Sequence, residues 1–316
     1  MKKLFHNYYF STLLFYLTIL LLGFIIKDPY VITILIFAGL NALSALGLSL
    51  LMGLAGQISL GQNGFYGLGA YLSAIFALNY QIPVSLAVLL SALISSFLAI
   101  FLAIPALRLR GHYLAVATLG FGEIVYLLLN EWGPGGPSGF GNIPKLSIGG
   151  LVLEDPLSYL VLTWTIFCLF FLLLQNLSRS TFGKTLHALH SSEVALRTLG
   201  INILSLKLKI FIFSAFLTAL SGALYAHFIT FLSPANFSVF YSVLLLMMVM
   251  LGGIHTLWGA PLGALFITLL PEVLRPFKEY DVLIYGFILT ISLIFFRKGI
   301  FQALEKGIKY VLSFRS

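Results

Sequence analysis

Long apolar blocks, separated by short polar or glycine-rich breaks, fill the chain from residue 8 to residue 296. A helix needs about 20 apolar residues to cross a bilayer. On that measure the blocks predict spans at 8–26, 31–52, 64–80, 83–104, 113–130, 157–174, 209–231, 239–255, 257–271 and 282–296. The segments 239–255 and 257–271 are short for full crossings and meet at Gly252 and Gly253. They read either as two short crossings or as broken, re-entrant helices. Both readings return the chain to the same side.

One polar stretch interrupts this pattern, residues 175–209. It carries Arg179, Lys184, Arg197, Lys207 and Lys209 against one acid, Glu193. Within it Phe182, Leu186, Leu189 and Leu196 recur at steps of four, three and seven, and Gly200 stands where a helix would stop. The spacing predicts one amphipathic helix over 182–200, with an apolar stripe for another protein to grip. A second loop, 131–156, opens with five glycines and three prolines between positions 133 and 144. That composition predicts an irregular surface loop, either a plain connector or a docking surface.

Composition narrows the class. The chain is 60% hydrophobic and only 9% charged, against about 25% charged in soluble domains. A β-barrel would show weak alternating segments in place of unbroken apolar runs. The fold class expected is therefore all-α: a polytopic helical membrane protein of about ten transmembrane or partly re-entrant helices, one domain over residues 1–316. The first apolar run is longer than a signal peptide's core and lacks a small-residue cleavage site, so it reads as a retained span. The net charge of +8 sets orientation. With the N-terminus in the cytoplasm, fourteen of the 18 basic residues fall inside. Only Lys27, Lys145, Arg275 and Lys278 fall outside. The positive-inside rule thus predicts cytoplasmic termini and a cytoplasmic polar loop. The partner implied is lipid, with no nucleic acid.

No catalytic constellation appears. The chain has no phosphate-binding GxxxxGK[ST] loop, no HExxH and no GxSxG. His187 and His190 are spaced for a metal but read as solvated surface residues, and Cys168 stands alone in an apolar run. No catalytic residue, metal site or cofactor is expected in this chain, and any energy source must belong to another subunit.

Two stretches break at glycines and carry uncharged polar groups, residues 53–71 and 251–264. Gly259 and Gly263 form a GxxxG pair, which lets helices approach closely. Tight packing is one reading of both stretches. The other is that paired breaks mark a substrate path lined by freed backbone groups. The pathway candidates are Asn41, Gln57, Ser59, Gln62, Asn63, Tyr66, Glu123, Gly252 and Gly253. Glu123 is the one acid deep within a predicted span, so it should face protein or water. It reads as a structural hydrogen-bonding group or as a partner for a substrate ammonium. Asn41, also within a span, has an interhelical hydrogen bond as its default role.

Several motifs together resemble the branched-chain amino acid ABC transporter permeases of the LivM type, in the LivH/LivM family. They are GLN at 39–41, SLGQNGFYGLGAY at 59–71, RLRGHYLAVATLGFGEI at 108–124, LGIN at 199–202, SGALYAH at 221–227, and LGG with LWGAPLGA at 251–264. The resemblance covers about residues 40–270. It implies an importer subunit in the bacterial cytoplasmic membrane, moving branched-chain or other apolar amino acids. Urea, short-amide or simple-sugar transport is the alternative within the superfamily, and a self-contained channel or carrier the alternative outside it. It also implies partners: a related permease subunit, two ATP-binding subunits and an extracytoplasmic binding protein. A coupling helix would lie near 183–200, giving Gly183, Lys184, Leu186, Ala188, Leu189, Glu193, Ala195, Leu199 and Gly200 as ATPase-coupling candidates.

Overall fold

The computed structural model describes residues 2–274, apart from Arg110 and His255, together with Gly286, Phe287 and Thr290. The predicted span 282–296 and the basic C-terminal residues lie outside the described set. The helices are α1 (Lys2–Ile26), α2 (Pro29–Ser49), α3 (Gln62–Asn79), α4 (Val84–Ala106), α5 (His112–Trp132), α6 (Pro156–Arg179), α7 (Thr181–Ser191), α8 (Glu193–Thr198), α9 (Ile203–Ile229), α10 (Val239–Gly252) and α11 (Gly259–Leu274). Among the described residues, six helices are long and apolar enough to cross a membrane: α1, α2 with its extension, α4, α5, α6 and α9.

Local signals explain where several helices start. Asp28 and Asp155 each precede a proline and accept a backbone N–H two residues on, capping α2 and α6. Proline at the first position loses no hydrogen bond there. Asn202 caps α9 by accepting from the Ser205 N–H, which starts that helix six residues before the predicted span. At its far end α2 passes into a π-helical turn, Leu50–Leu54, and then leaves helix altogether over residues 56–61.

The centre of the bundle is α2, enclosed by α6, α9, α10 and α11; its side chains from Ala38 to Ser49 are nearly all buried. Helix α1 packs outside on α6, and α4 packs on α3 and α9. A close crossing joins α3 to α9. A methyl group added at Gly69 would lie 2.0 Å from the Ala219 carbonyl oxygen, and one at Gly222 2.0 Å from that of Tyr66. The two backbones therefore touch, as small residues permit between membrane helices.

Helices α10 and α11 form a hairpin, with the predicted Gly259/Gly263 pair at its contact. A methyl at Gly263 would lie 1.8 Å from the Met248 carbonyl. Helix α11 then runs back along α2, Asn41 donating to Thr268 at 3.0 Å and Tyr30 bonding Glu272. At 14 residues, α10 spans about 21 Å, less than the roughly 30 Å hydrocarbon core. Its start is reached through the irregular 230–238 segment, which hydrogen-bonds α3 through Phe237.

The 131–156 loop is mostly irregular, as its glycines and prolines predict, with a two-strand turn of β1 (Ser147–Ile148) and β2 (Leu151–Val152). It is pinned to the bundle by Phe140, which pairs backbone to backbone with Leu232, and by the Pro144 carbonyl, which accepts from His227 Nδ1 at 2.7 Å. That bond leaves His227 Nε2 as the acceptor of the Ser73 hydroxyl at 2.8 Å.

Replacing Gly69 by leucine should abolish the α3–α9 contact, because backbone on the other helix cannot yield as a side-chain tip can. The expected outcome is loss of folded protein in detergent thermal-unfolding assays. Gly120→Ala, where a methyl meets nothing within 4 Å, should unfold at the wild-type temperature.

Candidate functional site

Two places answer to the sequence-derived candidates: the interior between α2, α3, α9, α10 and α11, and the polar loop around α7 and α8.

In the interior, a cavity of about 350 Å³ is lined by Phe37, Asn41, Tyr66, Tyr225, Asn236, Tyr241, Leu244, Met248, Ile267, Thr268 and Pro271. Its walls are aromatic and aliphatic, with two amides, a threonine and three phenols as the polar groups and no carboxylate or basic side chain. Tyr66 stacks on Tyr241 with ring centroids 4.3 Å apart. The Tyr241 hydroxyl reaches Ser44 Oγ at 3.2 Å, and Asn236 donates to the Tyr225 hydroxyl at 3.0 Å. A site of this kind suits one small solute with an apolar body and no net charge.

Of the nine pathway candidates, the structure places Asn41 and Tyr66 on this cavity. Gln62 and Asn63 lie in a buried hydrogen-bonded layer next to it. Gln62 accepts from the Thr218 hydroxyl at 2.8 Å and donates to Ser214 at 3.2 Å. Asn63 bonds the Phe237 carbonyl and Ser242. Gln57 and Ser59 sit on the non-helical 56–61 segment, buried, with neither side chain bonded to a described protein group. Unpartnered buried polar groups are costly, which marks this segment as unusual for a purely structural bend. Gly252 and Gly253 stand at the α10–α11 break, where the Ile254 carbonyl oxygen would meet a methyl on Gly53 at 2.2 Å. The two glycine-broken stretches therefore touch. Glu123 lies elsewhere, part-exposed on α5. The sequence reading missed Tyr225, Asn236, Tyr241 and Thr268. They come from four separate segments, and only the fold brings them together.

The polar loop differs from its predicted form in two respects. It is two helices, because Ser192 leaves the helical conformation and caps α8, its hydroxyl accepting from the Ala195 N–H at 3.3 Å. Its apolar stripe also points inward. Leu186, Leu189 and Leu196 are buried within the chain itself, with α7 packed on the end of α6 and on the π-helical turn after α2. Glu193 forms an ion pair with Lys207 at the start of α9, tying α8 to that helix. What this loop offers outward is Lys184, Ala188, Val194, Ala195, Arg197, Leu199 and Gly200, with Val194 and Leu199 more than 70% exposed. Gly183 is buried in the α6–α7 corner, where a methyl would strike the Leu177 and Ser178 carbonyls. Among the described residues no group of three or more His, Cys, Asp or Glu side chains is placed to hold a metal.

Comparison with known proteins adds a family. Residues 30–295 match the permease component of branched-chain amino acid transport systems. The chain is 31% identical over 289 residues to the high-affinity branched-chain amino acid transport permease LivM of Salmonella typhimurium, covering 84% of this chain and 68% of that protein. It is similar to the Escherichia coli LivM to the same extent. It is also 29% identical over 275 residues to LsrC, an autoinducer 2 import permease of Enterobacter sp., covering 83% of this chain and 74% of LsrC. No solved structure gives a significant match.

Leu189→Asp should lower the thermal stability of the purified subunit by several kcal/mol, since it buries an unpaired carboxylate. Leu199→Asp, at an exposed position, should leave its unfolding temperature unchanged.

Proposed function

The chain belongs to the permease family of branched-chain amino acid ABC transport systems, and on that premise we propose that it is the translocating subunit of a binding-protein-dependent importer for branched-chain or other apolar amino acids. The observation that carries the substrate class is the cavity between α2, α3, α9, α10 and α11. Four aromatic rings and four aliphatic residues give an apolar body a place to lie. Asn41, Asn236 and Thr268 supply hydrogen bonds to a zwitterionic head. The tyrosine faces favour an ammonium group through their quadrupoles. A side-chain charge finds no counter-ion there, so lysine-like or glutamate-like solutes are disfavoured.

A second reading has its own support. Amides and phenols beside aromatic faces also suit a neutral, hydroxyl-rich solute, and the similarity to the autoinducer 2 permease is of nearly equal extent. Simple-sugar transport is therefore the runner-up.

Energy enters through the α7–α8 loop. The excess of basic residues on this side supports a cytoplasmic loop and cytoplasmic termini in a bacterial inner membrane. The exposed pair Val194 and Leu199, flanked by Lys184 and Arg197, is the surface for an ATP-hydrolysing subunit. Behind it, α7 rests on the turn that leads into the 56–61 segment with its unbonded Gln57 and Ser59 side chains, while the Glu193–Lys207 pair joins α8 to α9. A push on the loop would reach both. The remaining partners are a related permease subunit, a second ATPase and an external binding protein.

Uptake of labelled solutes by vesicles holding the whole complex tests the substrate class. Leucine, isoleucine and valine should accumulate with ATP, and lysine and glutamate should not. Accumulation of a pentose or hexose without leucine would hand the site to the sugar reading. In the same vesicles, Leu199→Asp should abolish ATP-driven uptake while the subunit stays folded in the membrane. Undiminished uptake would remove α8 from the coupling role.

A further inference from the structure

Helix α5 carries two lines of residues on opposite faces. One, formed by Ala115, Thr118, Gly122, Val125 and Leu129, is turned into the bundle. It lies against α3: Thr118 accepts from the Leu60 N–H, and Gly122 abuts the Asn63 side chain. The other is Tyr113, Val116, Gly120, Glu123 and Leu127, spaced three, four, three and four. Tyr113, Val116 and Leu127 are 77%, 67% and 50% exposed. Around Gly120 an added methyl would meet nothing within 4 Å.

Comparison with α4 shows that this outer line is not built for lipid. The exposed face of α4 reads Leu86, Leu89, Leu93, Phe97, Phe101 and Ile104, bulky and apolar throughout. At the middle of α5 stand instead a glycine with open space and a carboxylate. Glu123 lies about 16 Å along the helix from His112, near the centre of a crossing. It is part-exposed and makes no hydrogen bond or ion pair with any described residue. A carboxylate at that depth facing acyl chains is unfavourable, so it calls for a protein partner. A three-four repeat with a small residue at its centre is the form of a close helix–helix seam.

We propose that the outer seam of α5 is the docking surface for a transmembrane helix of the second, related permease subunit, which places a hydrogen-bond donor or a cation opposite Glu123. A second copy of this chain fits poorly. A symmetric parallel packing of two such seams would set one Glu123 against the other, two like groups in a low-dielectric medium. A different chain supplies the complementary group. The proposal rests on the reading of this protein as one of two permease subunits, but it concerns assembly and is independent of the solute carried.

The test is co-purification of the second permease subunit with this chain, tagged, after co-expression of the complete transporter. Gly120→Trp and Glu123→Leu should each lose most of the co-purified subunit, while Glu123→Gln retains more of it than Glu123→Leu. Phe97→Trp, on the lipid-facing side of α4, should behave as wild type. The variant chains should reach the membrane in normal amount, because no described residue lies within 4 Å of a methyl at Gly120. Wild-type recovery of the partner with both Gly120→Trp and Glu123→Leu would overturn the proposal. So would normal recovery with lost uptake, which would make the seam a wall of the solute path. Cross-linking of two differently tagged copies of this chain through Gly120→Cys, in a Cys168→Ser background, would overturn the choice of partner. Absence of a second permease subunit from the wild-type preparation would overturn both this proposal and the two-subunit reading. Failure of leucine uptake with intact assembly would overturn only the substrate class.

Discussion

Backbone contact between α3 and α9 is the constraint on which the rest of the interior depends. Gly69 against Ala219 and Gly222 against Tyr66 bring the helices closer than any side chain would allow. Several buried polar pairs are strung along that line. Gln62 meets Ser214 and Thr218 at one end, and Ser73 meets His227 at the other. Tyr66 and Tyr225 project from the two helices onto the same cavity. Widening the contact by one methyl would pull these pairs apart together. In hydrocarbon there is no water to replace the lost bonds.

The same absence of water explains why irregular backbone occurs only where it does. Residues 56–61 lie against the α10–α11 break, largely buried with Gly56 exposed. The Gln57 and Ser59 side chains there are buried and unbonded. Helix α7 covers the adjoining turn. Two of the buried unbonded side chains are thus close to the loop that exposes Val194 and Leu199. A site that must change its hydrogen bonds during transport is one where incomplete satisfaction has a use.

Helical class, the approximate bounds of the helices as far as residue 274, and the glycine-broken segments were legible in the sequence because each depends on local composition. The Gly259/Gly263 contact was legible for the same reason. Orientation of the α7 stripe was not. Periodicity shows that Phe182, Leu186 and Leu189 share a face, but it cannot say whether that face meets its own bundle or another protein. The break at Ser192 escaped because a capping serine inside an otherwise helical pattern looks like any polar surface position. Tyr225, Asn236, Tyr241 and Thr268 escaped for a different reason. Each is ordinary in its own segment, and only the return of α11 along α2 and the dip of 230–238 toward α3 bring the four together.

Glu123 shows how sequence and structure answer different halves of one question. Its depth could be read from the chain, and depth alone required protein or water around it. Among the described residues no helix supplies that surrounding, since α5 turns Thr118, Gly122 and Val125 inward instead. A lone subunit therefore leaves in place a charge-bearing group that the bilayer disfavours. The α4 face has no such group and gains nothing from being covered by protein. Of the two exposed faces, α5 alone becomes more favourable when another chain meets it. On the proposed pairing, a helix of another chain would cover that carboxylate and the open space beside it.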